Sequence, residues 1–464
     1  MRYDLAVVGS GGAGFAAAIG ARSRGLQVLM IEQGTVGGTC VNVGCIPSKA
    51  LLAAAEARHV ALVGHRFPGI SSEAGPVDME ALIAGKAEIV DSLRQEKYLD
   101  LALSYGWEIR RGHARFVDGP ALDVGGERIE AEHYLVATGA SPWIPPVPGL
   151  DGGPYLTSTS ALELDRLPQS LIVTGGNYVG LELGQLFARL GSQVTLVEAL
   201  PRLAPAEEPE ISAGIAEILA AEGIEVVTNA PLSSVSWEEG QPRVRVGGGA
   251  EREIGADQLL MATGRRPNTA NLGLEEIGVE VGSRGEVLVD AHLRTTVPRV
   301  WAAGDVTGAP QFVYVAGAHG TAVVENAFFS GSREMDYRHL PRVTFTSPAI
   351  AAVGMTDQEA VDSGIQCTCS VLPLAYVPRA IVNRDTHGLV KIVADATSRR
   401  VLGVHILAEG AGDMVLAATY ALDAGMTVDQ LATTWCPYLT MAEGIKLAAQ
   451  AFDRDVSKLS CCAA

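Results

Sequence analysis

Residues 3–32 read YDLAVVGSGGAGFAAAIGARSRGLQVLMIE. An apolar, β-prone run turns at Gly9, continues as a small-residue helix and enters a second apolar strand that ends at Glu32. Gly9, Gly11 and Gly14 fit G-x-G-x-x-G, and Glu32 follows at about the twenty-residue spacing of a dinucleotide fingerprint. The glycines allow backbone N–H groups at a helix N-terminus to approach a pyrophosphate, and the acid accepts from a ribose hydroxyl.

The pattern recurs at residues 170–198, SLIVTGGNYVGLELGQLFARLGSQVTLVE. Gly175 and Gly180 hold the outer positions, Asn177 replaces the middle glycine, and Glu198 closes the second strand. Asn tolerates positive φ better than most residues, so the turn is expected to survive the replacement. Two such units imply two dinucleotides, one a resident flavin and one a nicotinamide that comes and goes. Each half also carries an ATG turn closing an apolar strand, at Ala137–Gly139 and Ala262–Gly264. Asp305 follows the strand in RVWAAGDVTG, where an acid accepts from polyol hydroxyls or caps a turn. The fold expected is α/β, with two Rossmann-like domains and a C-terminal α+β dimerisation domain. Its segments are 1–150 for flavin, 151–270 for NAD(P), 271–338 returning to the flavin unit, and 339–464 for the interface.

A chain of 464 residues exceeds one ordinary core, and a net charge of −18 speaks against a nucleic-acid partner. No apolar stretch long enough to span a bilayer lacks charge or glycine interruptions, so no membrane role is expected. An odd count of seven cysteines without an export signal points to the reducing cytoplasm.

Residues 37–52, GGTCVNVGCIPSKALL, place Cys40 and Cys45 five apart, with Lys49 after them. A pair at this spacing on an early helical turn closes into a disulfide, and a helix N-terminus or cation lowers a thiolate pKa. Together with the two nucleotide units, both ATG turns and the AAGD segment, this stretch resembles the pyridine nucleotide–disulfide oxidoreductases over essentially the whole chain. The resemblance implies FAD, NAD(P)H as cosubstrate, and a homodimer whose active site is shared between subunits. It implies that Cys45 is the thiolate against the flavin and Cys40 the outer, interchange thiol. Lys49 and Glu182 match an ion pair near the flavin, and Tyr178 matches the aromatic over the nicotinamide pocket. Gly34, Thr39, Ala114, Gly139, Gly264 and Val313 fall at further cofactor-lining positions.

Disulfide-reducing members carry a His-Pro acid with a Glu behind it. Residues 436–444 read CPYLTMAEG, with Glu443 at the Glu position, Tyr438 at the His position, and no histidine after His405. A phenol of pKa near ~10 is a poor proton shuttle at neutral pH. The chain ends LSCCAA, and the adjacent thiols Cys461 and Cys462 are soft ligands that do not easily close on each other. C-x4-C, Tyr for His, VPRA at Val377–Ala380 and the terminal Cys-Cys resemble the Hg(II)-reducing branch of the family. That likeness implies Hg(II), arriving as thiol complexes, held at Cys461 and Cys462 and passed to Cys40 and Cys45 for reduction to Hg(0). The chain opens on the flavin unit without the additional metal-capturing domain of many such enzymes, so capture falls to the tail or to carrier proteins. A dihydrolipoyl dehydrogenase-like disulfide reductase and a soft-metal sequestering flavoprotein without turnover remain alternatives. Cys367, Cys369 and Cys436 have no assigned role at this stage.

Overall fold

The computed structural model describes residues 3–248 and 252–458. Its first layer is a parallel sheet of five strands in the order Val300–Ala302, Ala131–Val136, Tyr3–Val8, Val28–Glu32 and Glu108–Arg111. These runs are apolar because both faces are covered, as parallel sheets require. Helix Gly12–Arg22 packs on helix Val313–Phe328 through a seam of small residues. A Cβ on Gly320 would collide with the Ala13 carbonyl, so the two helices approach backbone to backbone.

The second layer is a parallel sheet ordered Glu225–Val227, Gln193–Val197, Ser170–Thr174 and Gln258–Met261. The C-terminal unit is an antiparallel sheet ordered Arg342–Thr344, Ala349–Gly354, Val401–Ala408, Leu389–Asp395 and Cys367–Pro373, with helix Ala411–Asp423 packed on it. The architecture is α/β in its two Rossmann-like units, and the C-terminal domain is α+β. No helix among the described residues is long and apolar enough to cross a membrane.

One hydrophobic cluster joins all three units. Leu51 and Ala55 of helix Cys45–Leu62 meet Leu183, Leu186 and Leu190 of helix Tyr178–Leu190, and Ile350 and Leu407 reach in from the C-terminal sheet. Truncating a fully buried leucine such as Leu186 removes about 2–5 kcal/mol. A polar junction caps this cluster. The Arg189 guanidinium donates to Glu56, to both carboxylate oxygens of Glu222 and to the Ser347 carbonyl.

Candidate active site

Both nucleotide turns share one geometry. Gly9 and Gly175 each sit at φ +106°, and a Cβ on either would strike the carbonyl of Ala137 or Ala262. Gly14 and Gly180 press against the carbonyls of Gly9 and Gly175, which brings each helix onto its strand. The middle position differs from the expectation. Asn177 has φ −111° and ψ −169°, and Gly11 has φ −79° and ψ −171°, so both are extended. Asn177 survives because any residue adopts this backbone, and its tolerance of positive φ is not used. At Gly11 a Cβ would meet only Gly38 Cα, at 3.9 Å, so the missing side chain opens space above the turn.

The acids at the strand ends hold the turns together. Glu32 accepts from the Ser10 N–H at 3.0 Å, the Ser10 hydroxyl at 2.6 Å and the Gly34 N–H at 2.6 Å. Glu198 is buried and accepts from the N–H groups of Gly176 at 2.5 Å and Leu200 at 2.8 Å. A carboxylate has about four acceptor sites, so each retains capacity for a ribose hydroxyl.

A cavity of about 2060 Å³ runs between the units. Its walls include Gly9, Gly11, Glu32, Gly34, Thr39, Cys40, Cys45, Lys49, Ala114, Gly139, Asp305 and Val313 on one side. Gly175, Tyr178, Glu182, Glu198 and Gly264 line the other side. Gly14 and Gly180 lie behind the wall as packing residues. The donor set fits a flavin dinucleotide: an open glycine turn at a helix N-terminus, an acid at the strand end, and Asp305 beside Arg265. Burial raises the Asp305 pKa, and the Arg265 charge opposes that rise.

Cys40 lies in a short helix, Gly38–Val43, and Cys45 opens the long helix Cys45–Leu62. The pair therefore spans a break at Gly44 rather than one helical turn. Both are free thiols. The hydrogen bond from Cys40, chiefly, lowers the Cys45 pKa to about 7, with burial opposing and the Lys49 charge assisting. The Cys40 thiol is raised, first by that same hydrogen bond and then by burial. Near neutral pH Cys45, at a helix N-terminus, is thus the member of the pair that ionises, and Cys40 keeps its proton.

Lys49 Nζ sits 2.7 Å from Glu182 Oε2 and 4.4 Å from the Phe345 ring centroid. Glu182 Oε1 accepts from the Phe345 N–H at 3.0 Å. Tyr178 opens its helix edge-on to Phe312, and burial raises its phenol pKa. Sequence reasoning missed several residues in and behind the wall. His319 is fully buried, accepts from the Gly304 N–H at 3.1 Å and contacts Tyr337 Oη at 2.6 Å. Burial lowers its pKa to about 4, so it stays neutral. Arg342, in the wall itself, is held by Glu207 at 2.8 and 3.1 Å. These pairings join residues far apart in the chain, and no local pattern marks them.

Tyr438 is half exposed and does not line the cavity of its own chain. Glu443 is buried, and its Oε2 has no hydrogen-bond partner. Cys461 and Cys462 lie outside the described residues.

Parallel dinucleotide units flanking a thiol pair define a flavin- and nicotinamide-type oxidoreductase. Residues 3–320 match the pyridine nucleotide-disulphide oxidoreductases, and residues 340–449 match the dimerisation domain of that group. The chain belongs to the pyridine nucleotide-disulphide oxidoreductase family and is an enzyme of it. It is similar to the mercuric reductase of Streptomyces lividans, with 57% identity over 99% of this chain and 98% of that one. The mercuric reductase of Bacillus cereus is 50% identical over 99% of this chain and 73% of its own length. Among solved structures, the HOCl-induced flavoprotein disulfide reductase of Escherichia coli, in a Cu(II) complex, superposes with TM-score 0.87 and 33% identity. That match covers 97% of this chain and 99% of the other.

Proposed function

We propose that this enzyme reduces Hg(II) to Hg(0) with NAD(P)H, using bound FAD and the pair Cys40 and Cys45. The observation that carries the reading is the cavity wall. It holds a thiolate–thiol pair, and the segment that a partner subunit would bring to it reads CPYLTMAEG, with Tyr438 where disulfide-reducing members carry a histidine. Reduction of a disulfide needs an acid for the leaving thiol, whereas a metal ion needs soft ligands and electrons. The likeness to mercuric reductases points the same way.

The bound flavin would supply a two-electron relay from the nicotinamide. Cys45, as thiolate, and Cys40 exchange onto Hg(II); the Cys40 proton leaves on one departing ligand as a thiol, and the other ligand departs as a thiolate. Lys49 favours the Cys45 thiolate, and Tyr178 covers the nicotinamide side. Glu198 accepts from a ribose 2′-hydroxyl and repels a 2′-phosphate, which makes NADH an accepted cosubstrate. Cys461 and Cys462 deliver Hg(II) to the pair of the other subunit, and Tyr438 arrives by the same route.

The test is NAD(P)H oxidation with Hg(II) under excess thiol, with volatile Hg(0) collected. Stoichiometric Hg(0) is expected. Turnover with dihydrolipoamide and none with Hg(II) would replace this reading with a disulfide reductase.

A further inference from the structure

Cys367 and Cys369 lie outside the cavity, on the outermost strand of the C-terminal sheet. Residues i and i+2 of a strand point to the same face, so the two thiols stand side by side. Both are free. Cys369 is exposed and Cys367 partly so, and the Cys367 thiol donates to the Asp357 carbonyl at 3.7 Å. Two residues of strand span about 6.8 Å between Cα atoms, at the far limit of relaxed disulfide spacing. A metal ion between the sulfurs, with two bonds of about 2.3 Å in place of one S–S bond of about 2.05 Å, suits that wider spacing.

The surroundings favour a cation. Lys391 Nζ is buried among Glu208 at 2.9 Å, Glu210 at 3.0 Å and Asp357 at 2.9 Å. Three carboxylates around one ammonium leave negative charge in excess; burial, chiefly, pushes the Cys369 thiol up to about 12, Lys391 opposes that rise, and the charges of Cys367, Asp357 and Glu208 add to it. No three His, Cys, Asp or Glu side chains among the described residues group as a closed metal site requires. A two-sulfur site therefore excludes zinc-type tetrahedral binding and selects soft ions that accept two-coordinate thiolate ligation.

We propose that Cys367 and Cys369 form a second soft-metal site that binds one Hg(II) as a bis-thiolate, separate from the redox pair. Loading exchanges two small-thiol ligands for the two cysteine sulfurs, and the two cysteine protons leave on the released thiols. No electrons move. The site holds Hg(II) at the edge of the sheet face that carries Lys391, beside the second nucleotide unit and outside the cavity.

The experiment reads binding and not turnover, so its outcome is independent of the reductase reading. The full-length flavin-loaded chain carrying Cys40→Ala, Cys45→Ala, Cys461→Ala and Cys462→Ala is equilibrated with Hg(II)–bis(glutathione) and gel-filtered. One Hg per chain is expected. Adding Cys367→Ala and Cys369→Ala should remove it, and adding Cys436→Ala should leave it. Retention after the first addition, or loss after the second, overturns the proposal. Should any variant lose its flavin, iodoacetamide footprinting of the unaltered protein decides. Hg(II) must protect Cys367 and Cys369 together, and unequal or absent protection rejects the site.

Discussion

Lys49 Nζ stands 2.7 Å from Glu182 Oε2, and this contact ties the helix that opens with Cys45 to the helix that opens with Tyr178. The two charges act on Cys45 with opposite sign: Lys49 lowers its pKa and Glu182 raises it. With FAD bound, the reduced protein should show a thiolate-to-flavin charge-transfer band that titrates with Cys45. Lys49→Met should move that titration above the native midpoint near 7, by roughly one unit. Glu182→Gln should move it below. If both variants titrate like the native protein, the pair does not tune the thiolate.

The assignment of the two sulfurs is tested by the same band. Cys45→Ala should abolish it. Cys40→Ala should keep it but shift it to higher pH, because the Cys40 hydrogen bond is the largest influence lowering Cys45. A band lost in Cys40→Ala and kept in Cys45→Ala reverses the roles.

Glu198→Ala removes an acceptor fixed by the Gly176 and Leu200 amides. The ratio of kcat/KM for NADH over NADPH should fall roughly tenfold or more, the scale of one charged hydrogen bond. An unchanged ratio means the carboxylate serves only its own turn.

Glu207 is 3% exposed and joins the second nucleotide unit to Arg342 of the C-terminal sheet. Burial opposes ionisation, yet His405, 3.9 Å away, and the hydrogen bonds and charge of Arg342 leave its pKa lowered. Its contribution is therefore complete above the unfolded carboxyl value of about 4.3 and is lost as pH falls below it. Tm should hold from neutral pH to about 5 and decline beneath about 4.3. Glu207→Gln should cost about 3 kcal/mol at neutral pH, with a shallower acid decline. A Tm within a degree of native at pH 7 contradicts this account.

A heterodimer can locate the terminal thiols in action. One parent carries Cys40→Ala and Cys45→Ala, the other Cys461→Ala and Cys462→Ala, and thiol is kept limiting. Delivery between subunits predicts recovery of roughly half the native activity, one competent site per two-fold dimer. A verified heterodimer without recovery assigns the tail to its own chain or to no delivery at all.

The nucleotide units were legible because their constraints are local. A glycine forced to φ +106° and an acid at a strand end leave marks within about thirty residues of sequence. The reason given for Asn177 was not correct, since a sequence position does not disclose which of three turn residues has positive φ. The thiol pair was visible, but its division between two helices at Gly44 was not. Phe345 over Lys49, Arg265 beside Asp305 and His319 against Tyr337 were invisible. Each depends on packing between segments, which a single sequence does not record.

Arg189 bears on how the molecule divides. One buried guanidinium serves Glu56 from the first unit, Glu222 from the second and the Ser347 carbonyl from the third. Excising any one unit would take away a partner of this guanidinium and open the junction to water. The chain is thus modular in its motifs but indivisible as a folding object, and grafting a single unit onto a foreign partner would have to recreate this three-way contact.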